Sequence, residues 1–240
     1  DLAYESGSNY LYVSSYTGKV YKIDMTTRTI AGESAVVGAN LEGIAVAGNK
    51  LYVCNSCSSD YTTYYKNVVE LNASTLAKNQ DIEVVDDPVD VINAGSAIFI
   101  LSMGIYADKD KPATVQILKD GQLSTIGNAT MMAYDAYNDQ LYMINAPFGG
   151  DKEYKVYNLK NGQTTTFLTN PDIFSPYSLA VNPVNGDVFI TSSTKNPDTG
   201  YADYTADCKL YRYTSAGILL GTYDCGVNPG TIVCDSYYQK

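Results

Sequence analysis

One apolar phrase returns along this chain at a nearly constant interval. It reads Leu11-Tyr12-Val13, Leu51-Tyr52-Val53, Ile98-Phe99-Ile100, Leu141-Tyr142-Met143 and Val188-Phe189-Ile190. The steps between copies are 40, 47, 43 and 47 residues. A period in this range, built from short β-type runs, predicts the blade of a β-propeller. The expected fold class is therefore all-β, with four-stranded antiparallel blades.

Within each period the same order of signals recurs. A first apolar run comes before the phrase, as in Leu2-Ala3-Tyr4, Ile44-Ala45-Val46, Val91-Ile92, Met132-Ala133-Tyr134 and Leu179-Ala180-Val181. A polar turn such as Ala47-Gly48-Asn49-Lys50 separates the two, which is a hairpin signal. The phrase is then the second strand. A third follows, as in Val20-Tyr21-Lys22-Ile23-Asp24 or Lys155-Val156-Tyr157-Asn158-Leu159, and a fourth closes the unit, as in Thr164-Thr165-Thr166-Phe167-Leu168. No apolar stripe of helical period interrupts them. The repeats span approximately 1–39, 40–87, 88–128, 129–175 and 176–227 of one domain, with 228–240 starting a closing blade. Pro229-Gly230-Thr231-Ile232-Val233-Cys234 reads as one further first strand, because it matches Pro176-Tyr177-Ser178-Leu179-Ala180-Val181. A lone inner strand leaves backbone edges unpaired. The expectation is a chain of five complete repeats plus one extra strand, forming the C-terminal part of a larger ring. A five-bladed ring with an extra edge is the alternative.

Composition narrows the chemistry. The 240 residues carry a net charge of −10, which disfavours nucleic-acid binding. No apolar run is long enough to span a membrane, and the start at Asp1 fits a processed chain whose export signal lies out of view. Histidine is absent, which removes Ser-His-Asp triads and His-ligated zinc. Tyrosine is abundant at 23 residues, and it suits both strands and wet binding surfaces. Cys54-Asn55-Ser56-Cys57 is a single C-x-x-C, short of the four ligands of a zinc site. Cys208 and Cys225 flank one hairpin, so a disulfide between them is a candidate if the chain is exported; buried thiols are the alternative.

The phrases Tyr12-Val13-Ser14-Ser15-Tyr16-Thr17-Gly18-Lys19-Val20-Tyr21-Lys22-Ile23-Asp24 and Leu41-Glu42-Gly43-Ile44-Ala45-Val46 resemble those of the YncE-like seven-bladed propellers. The branch of surface lipoproteins from Gram-negative anaerobes is the closer resemblance, and Tyr223-Asp224-Cys225-Gly226-Val227-Asn228-Pro229-Gly230 resembles its C-terminus. The resemblance implies a seven-bladed ring that is secreted or held at the outer membrane, with a lipid anchor upstream. Some relatives capture nutrients beside outer-membrane transporters, cobalamin among them. No ligand motif of those relatives matches this sequence residue by residue.

In a propeller, the loop after each second strand and the loop leading into each first strand share one face around the channel. Ser15, Asn55, Ser102, Asn145 and Ser192 all stand two positions past the phrase. Capping of strand ends is one reading of these small polar residues, and a hydrogen-bonding ring at the channel mouth is the other. The first of these loops is a short turn holding Tyr16, and the next four are long. They carry Tyr61 and Tyr64, then Tyr106, then Phe148, then Tyr201 and Tyr204. Insertions at one structural position gather on one face, and aromatic loop residues bind with little entropic cost. The lead-in loops add Glu42, Asp90 and Tyr177. Glu42 resembles a position at which some lactonase-type propellers hold calcium or zinc, although the other ligands are not recognisable. A solvated or backbone-bonded glutamate is the competing reading.

These features predict a non-catalytic, extracytoplasmic propeller that binds a small molecule, glycan or peptide, or docks on an outer-membrane transporter. No cofactor is expected, apart from the divalent ion that Glu42 would help to hold. Two alternatives remain: a metal-dependent lactonase-like or lyase-like enzyme using carboxylates, and a surface adhesion or scaffold module.

Overall fold

The structure is a computed structural model that describes residues 1–106 and 108–234. Its elements are strands, and no helix forms among the described residues. The first sheet contains β1 (Leu2–Glu5), β2 (Tyr10–Ser14), β3 (Val20–Asp24) and β4 (Thr29–Glu33). The second contains β5 (Leu41–Ala47), β6 (Lys50–Cys57), β7 (Tyr64–Asn72) and β8 (Lys78–Glu83). The third contains β9 (Pro88–Asn93), β10 (Ile98–Ser102), β11 (Thr114–Lys119) and β12 (Gln122–Asn128). The fourth contains β13 (Met131–Asp135), β14 (Gln140–Asn145), β15 (Glu153–Asn158) and β16 (Gln163–Leu168). The fifth contains β17 (Ser175–Val181), β18 (Val188–Lys195), β20 (Cys208–Tyr213) and β21 (Leu219–Cys225), with the short β19 (Ala202–Asp203) paired to the end of β18. Each sheet is an antiparallel meander in sequence order. The recurring phrase is the second strand every time.

The chain divides into two compact units, Asp1–Asn128 and Ala129–Lys240. In the first unit, the alternation of strand side chains decides the packing. Leu51 and Val53 of β6 pack with Tyr12, Val20 and Ala3 of the first sheet. Their neighbours Tyr52 and Cys54 point the other way and pack with Val91, Ile98 and Ile100 of the third. The second sheet is thus covered on both faces, which is why β6 is buried from Leu51 to Cys57. In the second unit, Tyr142, Ile144 and Tyr154 of the fourth sheet pack with Val188, Ile190 and Tyr213 of the fifth.

The fourth strands are different. β8 and β16 are exposed along most of their length and carry polar residues. Each pairing of a third with a fourth strand contains a register shift. Bulges and polar side chains both discourage another chain from pairing with such an edge. At the first strands, Gly43 of β5 lies against β9: a Cβ there would stand 2.7 Å from Asp90 Cα. Only glycine permits that approach.

One interaction recurs at equivalent repeat positions in both units. Tyr12 of β2 is buried, and its hydroxyl donates to the Ala73 carbonyl in the β7–β8 turn at 3.1 Å. Tyr142 of β14 is buried, and its hydroxyl donates to the Ser215 carbonyl in the β20–β21 turn at 3.1 Å. Each tyrosine reaches from the second strand of one blade to the outer hairpin of the next.

Residues 229–234 carry no strand, and partner strands for a closing blade are not among the described residues. The Pro229 carbonyl accepts instead from the Ser178 and Thr191 hydroxyls at 2.9 and 3.0 Å, and the Gly230 amide bonds back to the Asn228 carbonyl. An inner strand needs a ladder partner, and here side chains of β17 and β18 take the backbone group. The remainder of the predicted closing segment, 235–240, lies outside the described residues.

Replacing Tyr142 with Phe removes the donor to the Ser215 carbonyl and keeps the ring. The expected loss is about 1 kcal/mol of unfolding free energy in urea titrations. An unchanged midpoint would show that the hydroxyl contributes nothing to the seam.

Candidate functional site

In an antiparallel meander, the lead-in to the first strand and the connection from second to third strand lie at the same end of the sheet. That end of each blade is the candidate site. In the first unit it is polar and linked across blades. The Tyr16 hydroxyl donates to Glu42 Oε1, joining the first blade to the second. Glu42 thereby holds the phenol proton and lifts the Tyr16 hydroxyl to about 12. The Ser56 hydroxyl donates to Asp87 Oδ1 at 2.6 Å, joining the second blade to the third. Asp86 lies between Lys66 at 3.6 Å and Lys111 at 3.9 Å.

Two carboxylates here are held uncomfortably. Burial raises Asp90 above the ordinary aspartate value, with the Val91 amide opposing it. Burial also raises Asp87, against the Ser56 hydrogen bond, and Glu42 and Asp86 add to the rise. Burial pushes the nearby Cys54 thiol well up, helped by the charges of Asp90, Glu42 and Asp87. Tyr61 adds backbone strain. Its φ of 59° lies in the left-handed region, which costs a bulky residue about 1–2 kcal/mol, and its ring is exposed rather than packed.

The small polar residues past the phrase are largely absorbed by local bonding. Ser15 Oγ accepts from the Thr17 amide and hydroxyl. Asn55 is buried, accepts from the Ala39 amide at 3.0 Å and donates to Asn67 Oδ1 at 2.9 Å. Ser192 is buried, accepts from the Ser175 amide at 2.9 Å and donates to the Ser193 carbonyl. Ser102 is buried, with no partner for its hydroxyl among the described residues, and Asn145 is half-buried on β14 opposite Glu153. Tyr64 belongs to the β7 ladder, opposite Cys57, and not to a loop, because the β6–β7 hairpin runs on past the core.

The aromatic loop residues face solvent. Tyr16, Tyr61, Tyr106, Phe148, Tyr201 and Tyr204 are all exposed, and Tyr177 emerges at a bulge near the start of β17. Outside this end of the blades, the exposed aromatic residues among those described are Tyr4, Tyr137 and Tyr223. In the second unit the rings meet. Phe148 and Tyr201 stack with 15° between their planes and centroids 6.3 Å apart. Lys152 and Lys195 both lie over the ring of half-buried Phe174, at 5.5 and 5.9 Å from its centroid. Sequence reading missed Phe174 as a site residue, and it missed the convergence of the two lysines. The only signal available was the place of Phe174 directly before a first strand.

Among the described residues, no group of three or more Cys, Asp or Glu is arranged to hold a metal ion. Glu42 is engaged by Tyr16, and its own carbonyl accepts from the Ser14 hydroxyl. Cys208 and Cys225 stand directly opposite each other in the β20–β21 ladder as free thiols. Burial raises the Cys225 thiol.

The chain is similar to solved structures at low identity. A gluconolactonase from Xanthomonas campestris aligns over 96% of this chain and 76% of its own, with a TM-score of 0.58 and 18% identity. TolB from Acinetobacter baumannii aligns over 95% of this chain and 54% of its own, with a TM-score of 0.60 and 12% identity. The WD40 repeats of RRP9 align over 94% and 66%, with a TM-score of 0.62 and 12% identity. The fold is a β-propeller. No family model matches the sequence, and no curated protein matches it. At these identities the propeller likeness speaks to architecture alone.

Asp90 offers a test of the strained end of this propeller. Its folded value lies above its unfolded one, so the folded state takes up the proton more readily. Its contribution to stability is full below the unfolded value and is lost as pH rises through the folded value. Asp90→Asn is therefore expected to raise the melting temperature at about pH 7 and to give no gain near pH 3, where the carboxyl is already neutral. An equal gain at both pH values would show that burial of the charge is not the cause.

Proposed function

We propose that this chain is a non-catalytic, extracytoplasmic propeller that binds its ligand through the aromatic connections at one end of its blades. The observation that carries the reading is the placement of the exposed aromatic side chains. Seven of the ten described, Tyr16, Tyr61, Tyr106, Phe148, Tyr177, Tyr201 and Tyr204, lie where second strands end or first strands begin. Exposed apolar side chains that gather mark interaction sites, and Phe148 and Tyr201 gather here. Strained Tyr61 and the raised Asp87 and Asp90 lie at the same blade ends, and costs of this kind concentrate at functional sites.

The sequence resemblance supports an exported location, as a surface lipoprotein that delivers its ligand to an outer-membrane transporter or docks on one. An oxidising compartment would join Cys208 to Cys225, since a thiol–disulfide oxidant can take two electrons and two protons from opposed cysteines. Alkylation without reductant, followed by intact mass, is expected to leave these two residues unlabelled in protein secreted by its host. Labelling of both would remove this support for export.

Binding itself is tested by a thermal-shift screen of vitamins, glycans and peptides. A ligand at a hundredfold its Kd is expected to add about 2.7 kcal/mol of stability. Alanine at an aromatic residue it touches should weaken binding about tenfold. Silence across all classes, together with no transporter in pull-downs from the native host, would overturn the reading.

A further inference from the structure

The fourth and fifth blades carry an arrangement that the general reading does not explain. The β14–β15 connection supplies Phe148 and Lys152, and the segment from the end of β18 to β19 supplies Lys195 and Tyr201. Each contributes one ring and one ammonium. The two rings meet each other, and the ammoniums lie 5.5 and 5.9 Å from the centre of the Phe174 ring, in the lead-in to β17. Like charges on neighbouring loops repel, so their convergence on one ring is not what packing alone would select.

Neither ammonium is neutralised. Most lysines of this acidic chain are ion-paired, for example Lys50 with Glu70 at 3.1 Å and Lys78 with Asp81 at 2.7 Å. Lys152 and Lys195 form no ion pair among the described residues. The nearby Asp203 carboxylate is occupied by the Asn196 side chain at 3.2 Å and the Thr205 hydroxyl at 2.7 Å. Phe148 is 82% exposed and Tyr201 65% exposed, so the stacked pair stands open to water.

We infer that this surface is a subsite for an anionic saccharide, with the C–H face of a pyranose on the Phe148–Tyr201 platform and its carboxylate or sulfate at Lys152 and Lys195. The chemistry follows from the two halves. The two stacked rings are nearly parallel, and an outer face of the stack is flat and apolar, of the kind that a sugar ring presents on its C–H side. Two unpaired ammoniums give a charge-assisted contact to an anion and leave a neutral sugar without one. The Tyr201 hydroxyl adds a hydrogen-bonding group at the platform edge. This inference rests on the proposal that these blade ends bind a ligand, and it names the class.

The test is an array of uronate-, sulfate- and sialate-bearing saccharides beside their neutral counterparts, probed with the intact chain. Anionic spots are expected to be favoured over their neutral partners by about tenfold. Lys152→Gln with Lys195→Gln should abolish that preference, and Phe148→Ala with Tyr201→Ala should weaken binding to both kinds. All four side chains are exposed, and unchanged melting curves will show that the variants fold. Binding that needs Phe148 and Tyr201 but ignores charge overturns the anionic class and leaves the general reading intact. Silence of every saccharide, or binding to phosphatidylserine vesicles in its place, overturns the inference. The general reading falls only if the thermal-shift screen is silent too.

Discussion

In the first and fourth blades a second-strand tyrosine ties the blade to the next, and much else follows from such seams. Tyr12 and Tyr142 each lie in an apolar seam, yet each ends at a carbonyl in the next blade's outer hairpin. A buried tyrosine removes about 150–250 Å² from water, worth roughly 4–6 kcal/mol at 25 cal/mol per Å². The hydrogen bond adds only about 1 kcal/mol. Burial therefore dominates adhesion, and the hydroxyl governs alignment, because an unmet carbonyl in the seam would carry a desolvation cost. Lys22 reinforces the first of these contacts. Its ammonium lies 4.0 Å from the centre of the Tyr10 ring and bonds the Ala73 carbonyl at 3.3 Å.

This seam explains why the fold could be read from one strand. β6, β10 and β14 are buried at successive positions along the phrase, so their side chains must be apolar there, and the phrase survives as a continuous run. The fourth strand has no such demand. β8 and β16 are polar edges, and they are recognisable only because they follow the others at the right distance. The same logic applies at 229–234. Thr231-Ile232-Val233 has the composition of a strand, but composition does not supply a partner, and the Pro229 carbonyl is satisfied by two hydroxyls of the fifth blade. Tyr64 was misplaced for the converse reason. A hairpin can extend beyond the core with polar residues, and β7 begins where the sequence reads as loop.

The site was legible in its location more than in its contacts. Fixed topology put the long connections at one end of each blade, and counting from the phrase was enough to find Phe148, Tyr201 and Tyr204. The same count also selected Asn55 and Ser192, whose side chains are consumed by strand-end amides and neighbouring polar groups. Spacing cannot separate a cap from a ligand-binding group, because both are small and polar and both follow a strand. Phe174, Lys152 and Lys195 come from three connections, and no local pattern records that they meet.

Net charge appears at first to oppose an anion at that meeting point. The chain carries −10 overall. At physiological ionic strength, however, the screening length is about 8 Å, so exposed carboxylates beyond that range act only weakly. Lys152 and Lys195 lie within 6 Å of the same ring centre, inside that length. Glu153, beside Lys152 in sequence, is paired with Lys155 at 2.9 Å, and the more distant negative charge slows approach more than it weakens the bound state. An acidic protein can therefore hold an acidic ligand where its own loops gather the opposite charge against an aromatic floor.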